Sequence, residues 1–129
     1  MDVKTAVRTE HAPAPYQGAP YSQAIRSGDL VFVSGLVGIR PDDNEFAGDT
    51  IEDQTEQIFA NLRAILEEAG SGLDRLLKTT VFLDDLGDFS AMNAVYARHV
   101  GETPPARSTI EVAGLPAGAL IELEAIARA

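Results

Sequence analysis

The chain has 129 residues, 45% of them apolar and 23% charged, the balance of one soluble globular domain with a core large enough to fold unaided. Its formal charge of −10 works against phosphate backbones, and its Lys and Arg residues are scattered from Lys4 to Arg128 without a cluster, which argues against nucleic acid as a partner. No cysteine is present, which excludes disulfides, thiolate catalysis and cysteine-ligated zinc and fits the cytosol.

A single domain over residues 1–129 is expected, with residues 1–15 as a partly mobile N-terminal tail. Met1 to His11 lacks the apolar centre of a signal peptide, and no run approaches the ~20 apolar residues of a membrane span, so a cytoplasmic location is expected. Ala12 to Pro20 is proline-rich and reads as extended or looped. Ala24 to Arg26 and Leu30 to Gly35 read as a hairpin turning at Gly28. The run Leu30-Val31-Phe32-Val33 is apolar on both faces, so both faces should be covered.

A helix is predicted from Thr50, whose hydroxyl can cap while Asp53 reaches back. Ile58, Leu62, Ile65, Leu66 and Ala69 fall on one face, and Gly70 ends the helix where a left-handed residue is wanted. Leu76 to Leu83 reads as a strand with Thr79, Val81 and Leu83 on one side. A second helix, Phe89 to Val100, is predicted with Asp88 as its cap and Phe89, Met92, Tyr96 and Val100 along one stripe, Asn93 beside it.

Pro104 and Pro105 forbid that helix from continuing and start an extended stretch. Along the strand that follows, Arg107, Thr109 and Glu111 share one face, and Ser108, Ile110 and Val112 the other. The last strand, Leu120 to Ala127, sets Ile121, Leu123 and Ala125 against Glu122, Glu124 and Ile126. This order predicts an α+β domain, a mixed, mostly antiparallel sheet with two helices on one face. The other face is also apolar and should be covered by copies of the same chain.

No phosphate loop, dinucleotide fingerprint or His-Glu-x-x-His occurs, and His11 and His99 are too few for a histidine-ligated metal or a Ser-His-Asp triad. What remains is an arginine braced by proline, suited to grip a planar carboxylate, and a carboxylate, Glu122, suited to act as a general base toward water. Tyr21 and Asn93 are candidates for polar trim. Each of these residues could equally serve packing or solvation alone.

Six spaced segments together carry a resemblance: Ala-Pro-Tyr-Ser-Gln-Ala at 19–24, Val-Phe-Val-Ser-Gly at 31–35, Lys-Thr-Thr-Val-Phe-Leu-Asp-Asp-Leu at 78–86, Asp-Phe with Met-Asn-Ala-Val-Tyr at 88–96, Pro-Ala-Arg-Ser at 105–108 and Ile-Glu-Leu-Glu-Ala-Ile-Ala at 121–127. In this order they resemble the RidA family, also called YjgF/YER057c/UK114, from about His11 to the C-terminus. The resemblance implies a chorismate-mutase-like fold, a homotrimer with clefts between subunits, and metal- and cofactor-independent hydrolysis of enamines and imines such as 2-aminoacrylate and 2-iminopropanoate to 2-keto acids and ammonia. It implies that Arg107 clamps the substrate carboxylate and Glu122 positions or activates water. Tyr21, Ser34, Gly35 and Asn93 match pocket residues, and Thr109 stands where many members have cysteine. Leu36, where glutamine is common, Pro104 and Ala19 are expected to alter the rim. The alternatives are a non-catalytic module that binds a small carboxylate and an endoribonuclease, the latter opposed by the acidic balance.

Overall fold

The computed structural model describes residues 3–129. Among these residues six strands and two α-helices follow in order: β1 (Thr5–Val7), β2 (Ala24–Ser27), β3 (Leu30–Val37), α1 (Ile51–Glu68), β4 (Leu76–Leu83), α2 (Phe89–Val100), β5 (Ala106–Glu111) and β6 (Ile121–Arg128). The strands form one sheet in the order β1-β2-β3-β6-β4-β5. All neighbours are antiparallel except β4 and β5, which the α2 crossover makes parallel. This is the expected α+β fold with a mixed sheet.

Both helices lie on one face of the sheet. Ile58, Leu62, Ile65 and Leu66 of α1 and Met92 of α2 are fully buried with Val31, Val81, Leu83, Ile121 and Leu123 from the strands. The α1 start and stop follow the sequence: Thr50 Oγ1 accepts from the Asp53 amide at 3.1 Å, and Gly70 takes φ +82°. The reciprocal bond expected from Asp53 does not form, because its carboxylate lies over Gly48 instead. Gly28, at φ +60°, turns the β2–β3 hairpin.

Three local expectations are corrected. Asp88 makes no side-chain cap on α2; Asp85, three residues earlier, accepts from the Gly87 amide and caps a single 3-10 turn that leads into the helix. Phe89, placed on the buried stripe of α2, is exposed at its first turn. The tail contains a strand, since Thr5, Ala6 and Val7 pair with Arg26, Ile25 and Ala24; Met1 and Asp2, also assigned to the tail, lie outside the described residues.

A buried glutamine ties this N-terminal arm down. Gln23 accepts from the Thr9 amide at 2.7 Å and donates to the carbonyls of Thr9, Ala12 and Pro13. Gln23→Ala would strand several of these groups, at a cost of roughly 2–4 kcal/mol by the usual worth of buried hydrogen bonds. Urea denaturation should show the loss, and hydrogen exchange should show it first at the Thr9 amide.

The second sheet face is bare in the single chain. Phe32 and Ile110 are 42% and 45% exposed on it, with Phe82 and Ile126 partly covered. Among the described residues no helix is long and apolar enough to cross a membrane.

Candidate functional site

The register of β3 against β6 explains how the site is opened. Val33 pairs with Ala125 and Leu36 with Leu123, so three steps on β3 match two on β6, and a β-bulge falls at Ser34-Gly35. The bulge lets both Val33 and Leu36 face the core although they are three residues apart. Leu36, expected at the cleft rim, is therefore only 8% exposed and part of the core. Sequence alternation alone could not reveal this change of phase.

Gly35 has a reason to be glycine that is not its φ. A Cβ built there would overlap the Glu122 carboxylate, with Cδ only 2.8 Å away. The Glu122 side chain thus sits in the space that a missing methyl leaves. Glutamate can swing aside, so Gly35→Ala should fold with little loss of Tm while displacing the carboxylate from this seat; a crystal structure of the variant checks the displacement.

Around this seat lies a cleft of ≈ 380 Å³ lined by Tyr16, Ala19, Tyr21, Ser34, Gly35, Val37, Pro116 and Glu122. Its polar groups are already oriented. Tyr21 Oη accepts from the Tyr16 amide at 2.6 Å, which leaves the phenol proton free to donate. The Ser34 hydroxyl donates to the Ser22 carbonyl at 2.6 Å, so toward the cleft it can only accept. Burial, and secondarily the charge of Glu124, pushes the Glu122 carboxyl above the ordinary range. A carboxylate so placed is a stronger base than one in water.

Arg107, Thr109 and Asn93 lie elsewhere. Thr79, wholly buried on the helix side, pairs with Arg107, while Phe82 pairs with both Glu122 and Ile110 on the bare side. Arg107 and Glu122 therefore project from opposite faces of the sheet, two strands apart. Within one chain the two cannot grip the same small molecule.

Arg107 rides on aromatic faces. Its guanidinium carbon is 4.7 Å from the Tyr96 ring centroid and 5.5 Å from that of Phe89. Asn93, four residues after Phe89 and three before Tyr96, shares their side of α2. Its Oδ1 is buried with no hydrogen-bond partner among the described residues. Among those residues no carboxylate lies within salt-bridge distance of Arg107. Thr109 follows on the same face of β5, paired with Val81. This half carries a cation with open donors and an unmatched acceptor.

From sequence, Phe89 and Tyr96 share one stripe of α2 with no role beside Arg107. The signal for their second role was the Phe89–Asn93–Tyr96 spacing on one helix face, opposite an arginine. His99, by contrast, is structural: it stacks on Phe59 at 4.6 Å and bonds Glu56 Oε1 at 2.6 Å.

Known proteins share this fold. The model of the family described as Endoribonuclease L-PSP matches residues 9–129. A RutC family protein of Pyrococcus horikoshii, PH0854, is 47% identical over 125 residues, covering 97% of this chain and 98% of its own. Reactive Intermediate Deaminase A, the chloroplastic protein of Arabidopsis thaliana, is 46% identical over 124 residues, covering 96% of this chain and 65% of its own. The crystal structure of E. coli TdcF with bound serine superposes with a TM-score of 0.90 at 36% identity, over 97% of this chain and 98% of that one. With its profile matched over nearly the whole length and its fold shared, the chain belongs to the endoribonuclease L-PSP family, the RidA (YjgF/YER057c/UK114) family.

Proposed function

We propose that the chain hydrolyses reactive enamines and imines of the 2-aminoacrylate and 2-iminopropanoate type to 2-keto acids and ammonia, in clefts between the subunits of a homotrimer. The observation that carries this reading is Arg107: a guanidinium seated on two ring faces with its edge donors open is suited to a carboxylate. Glu122, in a half-buried cleft with a raised pKa, supplies the base. Because the two halves occupy opposite faces of the sheet, they meet only when one copy stacks its helix side beside another's cleft side. Such a head-to-tail contact forms a ring when its rotation closes, and a trimer is the smallest such ring. The bare apolar face around Phe32 and Ile110 would be covered in the same assembly.

In this site Arg107 fixes the acid group and so places the imine carbon against a water held by Glu122. Glu122 takes a proton from that water as its oxygen bonds to the imine carbon, and passes the same proton to the imine nitrogen. The resulting carbinolamine loses ammonia when its hydroxyl proton passes to nitrogen, a transfer Glu122 can relay. One water enters, and one keto acid and one ammonia leave. The Asn93 carbonyl and Tyr21 hydroxyl are an acceptor and a donor for the polar ends of the substrate, and Thr109 lines the imine end.

The test is ammonia release from 2-aminoacrylate generated in situ, with the protein present and absent. No acceleration would refute the enzyme. The serine in the TdcF crystal favours a second reading, in which the same residues hold a small amino or keto acid without turnover. Saturable binding of pyruvate with no ammonia released selects it. The net charge of −10 opposes the ribonuclease that the family's description names.

A further inference from the structure

Among the described residues, Arg107 is oriented by two ring faces and not by a salt bridge. A guanidinium held over ring faces keeps its N–H donors for a ligand, whereas a salt bridge would take the fork that a ligand needs. The value of this arrangement depends on how firmly the ring is held.

Tyr96 is held firmly. Its Oη shares a 2.6 Å hydrogen bond with Thr79 Oγ1, both groups being buried. Phe59 meets the ring edge-on, with centroids 5.4 Å apart and planes at 82°. Thr79 is also the register partner of Arg107 across the β4–β5 pair. The hydroxyl that pins the ring and the arginine that lies on it thus sit side by side on neighbouring strands. The sheet itself sets the offset between ring and guanidinium.

We propose that Tyr96, anchored by Thr79, is a positioning residue that aims the Arg107 fork out of the helix face. This rests on the reading above that Arg107 grips a substrate carboxylate, but the platform can be tested apart from it. Tyr96→Leu removes the ring, and Tyr96→Phe and Thr79→Val each remove one side of the hydroxyl pair while keeping it.

Two readouts are needed. The first is steady-state turnover of 2-iminopropanoate. Tyr96→Leu should raise KM about tenfold, the scale of a desolvated cation–π contact, and leave kcat nearly unchanged, whereas Tyr96→Phe and Thr79→Val should fall between it and the wild type. A purely structural role would lower Tm without moving KM. The second is the NMR shift of the Arg107 Cδ protons, assigned by their absence in Arg107→Lys. The Tyr96 ring current should move them upfield in the wild type, and Tyr96→Leu should move them back toward the usual arginine position, leaving only the smaller effect of Phe89.

A wild-type KM or an unchanged Cδ shift in folded Tyr96→Leu overturns the proposal. If Tyr96→Leu does not fold, Tyr96→Phe and Thr79→Val carry the test: both must move the Cδ signal toward the usual position, and no movement in either overturns it. If the wild type turns over no imine, the proposed function fails, and the NMR readout alone decides the platform.

Discussion

Arg107→Ala should lower kcat/KM for 2-iminopropanoate by roughly 10²–10³-fold, almost entirely through KM. Two charge-assisted hydrogen bonds to a carboxylate together contribute about 3–4 kcal/mol, and each 1.4 kcal/mol is a factor of ten. Loss of the side chain should leave folding nearly intact, because the fork makes no ion pair among the described residues and lies outside the core. Arg107→Lys should recover only part of the loss, since an ammonium can neither present two parallel donors nor stack flat on Tyr96. Ammonia release against substrate concentration gives both constants. Wild-type KM in a folded Arg107→Ala protein would remove Arg107 from the substrate.

The fold was largely legible because its periodicities are clean. The stripe Ile58–Leu62–Ile65–Leu66–Ala69 and the alternation of Thr79, Val81 and Leu83 each admit one buried face, and the structure buries that face. The strand Thr5–Val7 was missed because three residues without an apolar alternation carry no signal; pairing with β2 and the Gln23 bonds make it. Leu36 was misplaced for another reason. A bulge shifts the phase of a strand by one, and everything after Ser34 then faces opposite to simple alternation.

The candidate site divides in the same way. Residue types pointed to Arg107 and Glu122, but composition could not say that β5 and β6 turn them to opposite faces, since that depends on registers fixed between strands distant in sequence. Gly35 was known only by resemblance, and its physical reason is the carboxylate lodged where a Cβ would be. Tyr96 packs, as its place on the α2 stripe implies; that its ring also carries a cation depends on a hydroxyl pair seventeen residues apart.

Glu122→Gln should lower kcat by about 10²–10⁴-fold, the usual contribution of a positioned general base, with KM little changed. The pH dependence has a definite sign. Burial raises the Glu122 pKa, so its basic form is lost as pH falls through that raised value. The wild-type kcat/KM should therefore decline on acidification beginning above the ordinary glutamate pKa of about 4.3, and Glu122→Gln should lack that limb. Stability should move oppositely. The fold favours protonated Glu122, so the wild type loses this contribution as pH rises through the raised value, and Glu122→Gln should have the higher Tm at neutral pH and no advantage below about pH 4. The decisive experiment mixes the two variants and reads ammonia release at substrate far below the wild-type KM, where each alone is nearly inactive. If each site takes its arginine from one copy and its glutamate from the next, refolding Arg107→Ala with Glu122→Gln in equal amounts leaves each site one chance in two of an intact arginine and one in two of an intact glutamate. About a quarter of wild-type activity should return in a closed head-to-tail ring. Activity no higher than that of the two variants measured separately would place both residues in a single chain's site, which the opposite faces of this sheet do not permit, and the shared cleft would have to be abandoned.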